Sequence, residues 1–101
     1  MFIHSVYFWL KPALSAQDHQ TFLEGIASLT EIETVAHGYW GKPAATDRPI
    51  IEKGYSYGLV LVFKDQEAHD AYQVDPVHDL FRERCSPFWN RVTIFDTVQE
   101  A

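Results

Sequence analysis

The sequence holds one cysteine, Cys85, in 101 residues. That excludes an internal disulfide and fits a reducing compartment. Cys85 reads as a small buried or half-buried hydrophobe rather than a nucleophile. Positive charge is also scarce. Lys and Arg number 8 against 14 Asp and Glu, for a net charge of −6 and a pI of about 5.2. No basic stripe runs along the chain, which argues against nucleic-acid binding, because phosphate backbones are held by clustered cations. No apolar run approaches the roughly 20 residues of a membrane-spanning helix. The opening Met1-Phe2-Ile3-His4-Ser5 carries neither the basic segment nor the cleavage site of a secretory signal. Repeats, low-complexity tracts and linkers are missing too. The expectation is one domain over residues 1–101 of a soluble, cytoplasmic protein with neither a nucleic-acid nor a membrane partner.

What is plentiful is apolar and aromatic surface. Apolar residues make up 47% of the chain and aromatics 15%, with Trp9, Trp40 and Trp89 among them. A chain this size buries only a modest fraction of its surface. The excess implies a second burial event, either dimerisation or a ligand pocket.

Periodicity divides the chain into elements. Phe2 to Lys11 alternates as a strand that is apolar on both faces and stops at Pro12. Ser15 is an N-cap, with Asp18 at the capping-box position. Phe22, Leu23, Ile26 and Leu29 then recur at helical spacing to about Thr30, with His19 on the same side. Thr34 to Trp40 reads as a second strand, bent or closely approached at Gly38 and Gly41. Lys42 to Lys53, with Pro43 and Pro49, is a long polar connection suited to solvated surface or to a rim or lid. Tyr55 to Phe63 is again apolar on both faces, as a central strand should be. Asp65 caps a helix through Ala68, Ala71 and Tyr72. Asp75-Pro76 breaks it, because Pro76 suits a first helical position and Asp75 a new cap. Leu80, Phe81 and Phe88 continue an apolar stripe to about Ser86-Pro87. Val92 to Val98 is the last strand, with Val92, Ile94, Asp96 and Val98 on one face.

The order β-α-β-β-α(broken)-β is the split βαβ, ferredoxin-like pattern. It predicts an α+β fold with a four-stranded antiparallel sheet ordered fourth, first, third, second strand. His4 then comes level with Asp96. The break brings Tyr72, at the end of one helix, beside His78, at the start of the next. A carboxylate within an apolar strand needs a partner, and a histidine is the obvious one. An Asp–His pair fixes the imidazole tautomer and raises its basicity, and a neighbouring tyrosine hydroxyl can donate to an oxyanion. His78, Tyr72 and Asp96 are therefore the catalytic candidates. His4, Tyr57, Phe22, Leu59, Phe81 and Trp89 are candidates for the lining of a ligand pocket. The competing assignment makes Asp96 a structural bridge, His78 a surface residue and Tyr72 part of the core. His4, His19, His37, His69 and His78 show no usual metal-ligand spacing and no cysteine pair assists, so no metal site is expected.

Several short pieces, in order and spacing, resemble the stress-responsive α/β-barrel family of dimeric α+β barrels. They are Ile3-His4-Ser5-Val6, Tyr39-Trp40-Gly41-Lys42, Gly54-Tyr55-Ser56-Tyr57, Tyr72 through His78, and Phe88-Trp89 before Ile94-Phe95-Asp96. The resemblance implies a homodimer closed through the sheet faces, which would cover Ile3, Tyr7 and Trp9. Most members of the family have no assigned activity. One plant branch, the olivetolic acid cyclases, closes a linear polyketide by an aldol-type condensation, and this sequence is similar to it at pocket positions. Tyr72 and His78 match its tyrosine and catalytic histidine, and His4 and Asp96 match pocket residues. The resemblance implies that His78 removes a proton α to a carbonyl, oriented by Asp96, while Tyr72 steadies the oxygen, with no cofactor or metal. Asp75 departs from the histidine common before the proline, and Tyr57 from a histidine of the cyclase.

The expected function is thus small-molecule binding, with polyketide-cyclase-like lyase chemistry or with none. In the second case the protein is a ligand-binding or stress-protective homodimer. The expected partners are a second copy and an apolar small molecule. Related barrels include cofactor-independent monooxygenases and haem-associated proteins, but no residue pattern here points to either.

Overall fold

Three side-chain caps set the helices. Ser15 Oγ accepts from Asp18 N–H at 3.0 Å and starts α1 (Ala16–Leu29). Asp65 accepts from Ala68 N–H at 2.9 Å and starts α2 (Gln66–Gln73). Asp75 accepts from Val77 N–H at 2.8 Å and starts α3 (Pro76–Cys85), whose first residue is the proline. The strands are β1 (Phe2–Leu10), β2 (His37–Gly41), β3 (Tyr57–Phe63) and β4 (Trp89–Val98), with a 3₁₀ turn at Ser86–Phe88 before the last. The computed structural model describes residues 1–100.

The strands form one antiparallel sheet in the order β2-β3-β1-β4, the ferredoxin-like arrangement read from the sequence. Alternation does the sorting. On β1, Phe2, His4, Val6 and Phe8 are buried; on β3, Tyr57, Leu59, Leu61 and Phe63 are. These face the helices and meet Phe22, Ile26 and Leu29 of α1 and Tyr72 and Phe81 of the broken helix. Leu59 and Leu61 are fully shielded, and burial of each stabilises the fold by about 1.5–3 kcal/mol. Leu80, placed on the stripe by its sequence, is instead 43% exposed.

Among the described residues, nothing covers the opposite face. The chain is a slab 17 Å thick, enough for one sheet and one helical layer. Ile3, Tyr7, Trp9, Val60 and Val62 stay partly exposed there, and Tyr39 and Phe95 are 63% and 58% exposed. Among the described residues, no helix is long and apolar enough to cross a membrane.

Strand ends differ from the sequence pattern for local reasons. β2 begins at His37 rather than Thr34, because the chain turns first, with Val35 N–H donating to Ile32 C=O at 2.9 Å. β3 begins at Tyr57 rather than Tyr55, because the Ser56 hydroxyl accepts from Leu10 N–H at 2.9 Å. β4 begins at Trp89, since the register with β1 extends past an irregularity at Trp9/Leu10.

Candidate active site between the broken helix and the sheet

The break at Asp75-Pro76 shapes the site. Asp75 N–H donates to Tyr72 C=O at 3.2 Å, closing α2, while Asp75 C=O accepts from Asp79 N–H at 3.1 Å, opening α3. Tyr72 therefore turns inward from the last turn of α2, 1% exposed, and His78 descends half-buried from the first turn of α3. Their rings meet edge to face with centroids 4.9 Å apart. Beneath them is a cavity of about 590 Å³ with His4, Val6, Phe8 and Leu59 on its floor. Phe81, Arg82 and Trp89 wall it, with the Phe81 and Trp89 rings stacked at 5.7 Å.

Burial sets the proton states. It pushes the Tyr72 hydroxyl above its ordinary value of 10, so the phenol stays protonated and able to donate. Burial lowers His78 from its ordinary 6.5, and the Arg82 guanidinium lowers it further, so the imidazole is neutral at pH 7. Burial also lowers His4, outweighing the Asp96 carboxylate beside it.

Three expectations about the site need correction. Asp96 does not orient His78. The β1–β4 register sets it directly opposite His4, and its Oδ1 accepts the His4 Nδ1–H at 2.5 Å. The carboxylates whose charge acts on His78 are Asp79 and Asp75, and His78 Nδ1 is buried without a partner among the described residues. Tyr57 does not line this cavity. Its hydroxyl and His19 Nε2 hydrogen-bond at 2.8 Å, and both line a separate groove of about 520 Å³ with Trp40 and Lys42. Phe22 is wholly buried in the core, edge-on to Phe8 at 5.2 Å, and lines neither space. His4, Leu59, Phe81 and Trp89 do line the cavity. Cys85 is 1% exposed with its thiol pushed up by burial, the state of a packing residue.

Two residues escaped the sequence reading. Arg82 lies one helical turn after His78, so spacing along α3 would have found it. His69 is 7% exposed and tilts over His4 with ring centroids 5.0 Å apart. Nothing local marks it, because the two are paired by packing of α2 on β1.

The sequence profile of the Stress responsive A/B Barrel Domain matches residues 2–99. The chain belongs to this family. Olivetolic acid cyclase of Cannabis sativa is 24% identical over 94 residues, covering 92% of this chain and 91% of the cyclase. Hydroxynitrile lyase from Passiflora edulis superposes with a TM-score of 0.78 at 18% identity, covering 99% of this chain and 94% of the lyase. A dimeric ferredoxin-like protein of unknown function from Thermobifida fusca gives 0.77 at 14% identity, covering 97% and 90%.

Proposed function

We propose that this chain is a homodimeric enzyme of carbonyl chemistry, of the polyketide-cyclase type. The observation that carries the reading is the His78–Tyr72 pair on the apolar cavity. An imidazole kept neutral by burial stands against a phenol kept protonated by burial, 4.9 Å between rings. His78 takes a proton from the carbon α to one carbonyl. The resulting enolate carbon attacks a second carbonyl carbon of the same chain and closes the ring. The Tyr72 hydroxyl donates to the oxyanion as it forms, and the His78 imidazolium returns its proton to that oxygen. Protons and electrons balance within the substrate. His4, with its Nδ1–H given to Asp96, has only Nε2 left for the cavity it lines.

The bare sheet face supports a dimer. Tyr7, Trp9, Tyr39, Val60, Val62 and Phe95 form an apolar surface on the side away from the helices, and such a surface marks an interface.

A linear poly-β-keto thioester is the test substrate. His78→Ala is expected to lower turnover by about 10²–10⁴-fold while the dimer persists, the range for loss of a general base. Undiminished turnover overturns the reading. A second reading, a non-catalytic ligand-binding or stress-protective dimer, is favoured by the unpartnered Nδ1 of His78, since a base is normally oriented through its other nitrogen. Native mass spectrometry showing a retained small molecule, with no turnover by the unaltered chain, would establish it.

A further inference from the structure

Strands β1 and β4 and helix α2 together hold a second cluster. A nitrogen of His4, a nitrogen of His69 and a carboxylate oxygen of Asp96 lie within 4.8 Å of one another. His4 and His69 are 3% and 7% exposed, while the Asp96 side chain is 41% exposed. Protein thus walls two ligands, and the third opens to solvent as an entry path. The His69 ring is held flat on Phe2, centroids 4.3 Å apart.

Hydrogen bonding shows what the cluster lacks. The Asp70 carboxylate only accepts, so His69 gives it the Nδ1–H, at 3.1 Å. In the neutral imidazole the lone pair is then on Nε2. That atom is buried and has no hydrogen-bond partner among the described residues. Buried polar atoms in native proteins are normally satisfied, so a lone pair left over calls for a hydrogen-bond donor or a metal ion. A histidine whose other N–H is held by a carboxylate is also the form that metal-bound histidines take.

We propose that His4, His69 and Asp96 form a site for one divalent transition-metal ion of the zinc class. Two imidazole nitrogens and one carboxylate oxygen suit Zn²⁺ or Co²⁺ and do not suit Mg²⁺ or Ca²⁺, which take oxygen cages. Three protein ligands leave a fourth position to water. Tetrahedral ligands at about 2.0–2.1 Å from an ion stand roughly 3.3 Å apart, so binding opens the His4 Nδ1–Asp96 Oδ1 contact from 2.5 Å and releases its proton to solvent. The site shares His4 with the cavity floor but uses neither His78 nor Tyr72, so metal uptake is read independently of turnover.

The test uses the 101-residue chain stripped with chelator and titrated with Co²⁺ alone, then with Zn²⁺ in competition. The expected result is saturation at one ion per chain, with visible absorption bands that Zn²⁺ abolishes. His69→Phe keeps the ring and its stack on Phe2 but removes the nitrogen. That variant and Asp96→Asn are expected to weaken binding by more than about tenfold, since loss of even an outer-shell partner costs that much. His37→Gln, at an exposed histidine of β2, is expected to change nothing. No saturable uptake by the folded chain, or equal uptake by His69→Phe, overturns the proposal. Should His69→Phe fail to fold, proton NMR of the unaltered chain decides. Zn²⁺ must shift the His4 and His69 imidazole signals while leaving His37 in place, and shifts confined to His19 or His37 overturn it.

Discussion

Replacing Gly25 by alanine sets two physical effects against each other. Gly25 lies in the middle of α1, where alanine is the better helix former by about 0.8–1.0 kcal/mol. A Cβ at this position, however, would lie 2.9 Å from Cys85 Sγ and 2.9 and 3.3 Å from two ring carbons of Phe81. Both neighbours belong to α3 and are 1% and 6% exposed, so neither can retreat into solvent. Extra carbon in a packed core typically costs about 1–3 kcal/mol. The middle of that range exceeds the propensity gain, leaving a net loss of about 1 kcal/mol. For a chain of this size that lowers Tm by about 4–8 °C. The assay is urea or thermal unfolding at fixed protein concentration, because the proposed dimer would make stability concentration-dependent. Cys85→Ala removes one of the clashing atoms. The double variant should therefore be more stable than the sum of the two single losses, by about 0.5 kcal/mol or more. A Gly25→Ala protein that melts higher than the original, or strict additivity with Cys85→Ala, would refute the close α1–α3 packing argued here. That packing matters for the site, since α3 carries His78 in its first turn and Phe81 in the cavity wall.

Two further perturbations bear on the site and the assembly. The groups acting on His78 are Arg82 and His4, which lower its pKa, and Asp79 and Asp75, which raise it, with burial the largest influence. The imidazole should therefore titrate below 6.5 by NMR, and Arg82→Gln should move the midpoint upward; an unmoved midpoint would remove Arg82 from the site's electrostatics. If His78 is the base, its neutral form is the active one, so activity should hold as pH falls to about 6.5 and drop below it. Phe95→Lys places a charge on the bare sheet face at a side chain 58% exposed, so the single chain should still fold. Size-exclusion chromatography at micromolar concentration is expected to show monomer for this variant and dimer for the original; dimers in both would move the interface elsewhere.

Much of the architecture was legible because its signals are local. The Ser15, Asp65 and Asp75 caps each bond an N–H two or three residues ahead, so the three helices could be placed from neighbours alone. Alternation on β1 and β3 sorted their residues into two sets, because successive strand residues point to opposite faces, but both sets are apolar, so helix packing decided which one is buried. The Tyr72–His78 approach followed from one proline and one aspartate.

The partnerships around that pair were decided elsewhere. Asp96 was expected to serve His78, yet its oxygen is taken by His4, 92 positions away in the chain, because the β1–β4 register puts them face to face. Tyr57 was expected in the cavity, yet α1 packs so that His19 captures its hydroxyl on the far side of the core. His69 carried no signal at all until α2 laid it across His4. The residue order determined the elements and the pairing of base and phenol, since these depend on contacts within a turn or two. That Asp96 lies level with His4 was readable from the strand order, but that this contact leaves His78 without Asp96, and that His69 joins the pair, was decided by tertiary structure alone. Those distances depend on strand register and helix packing between segments that no local pattern connects.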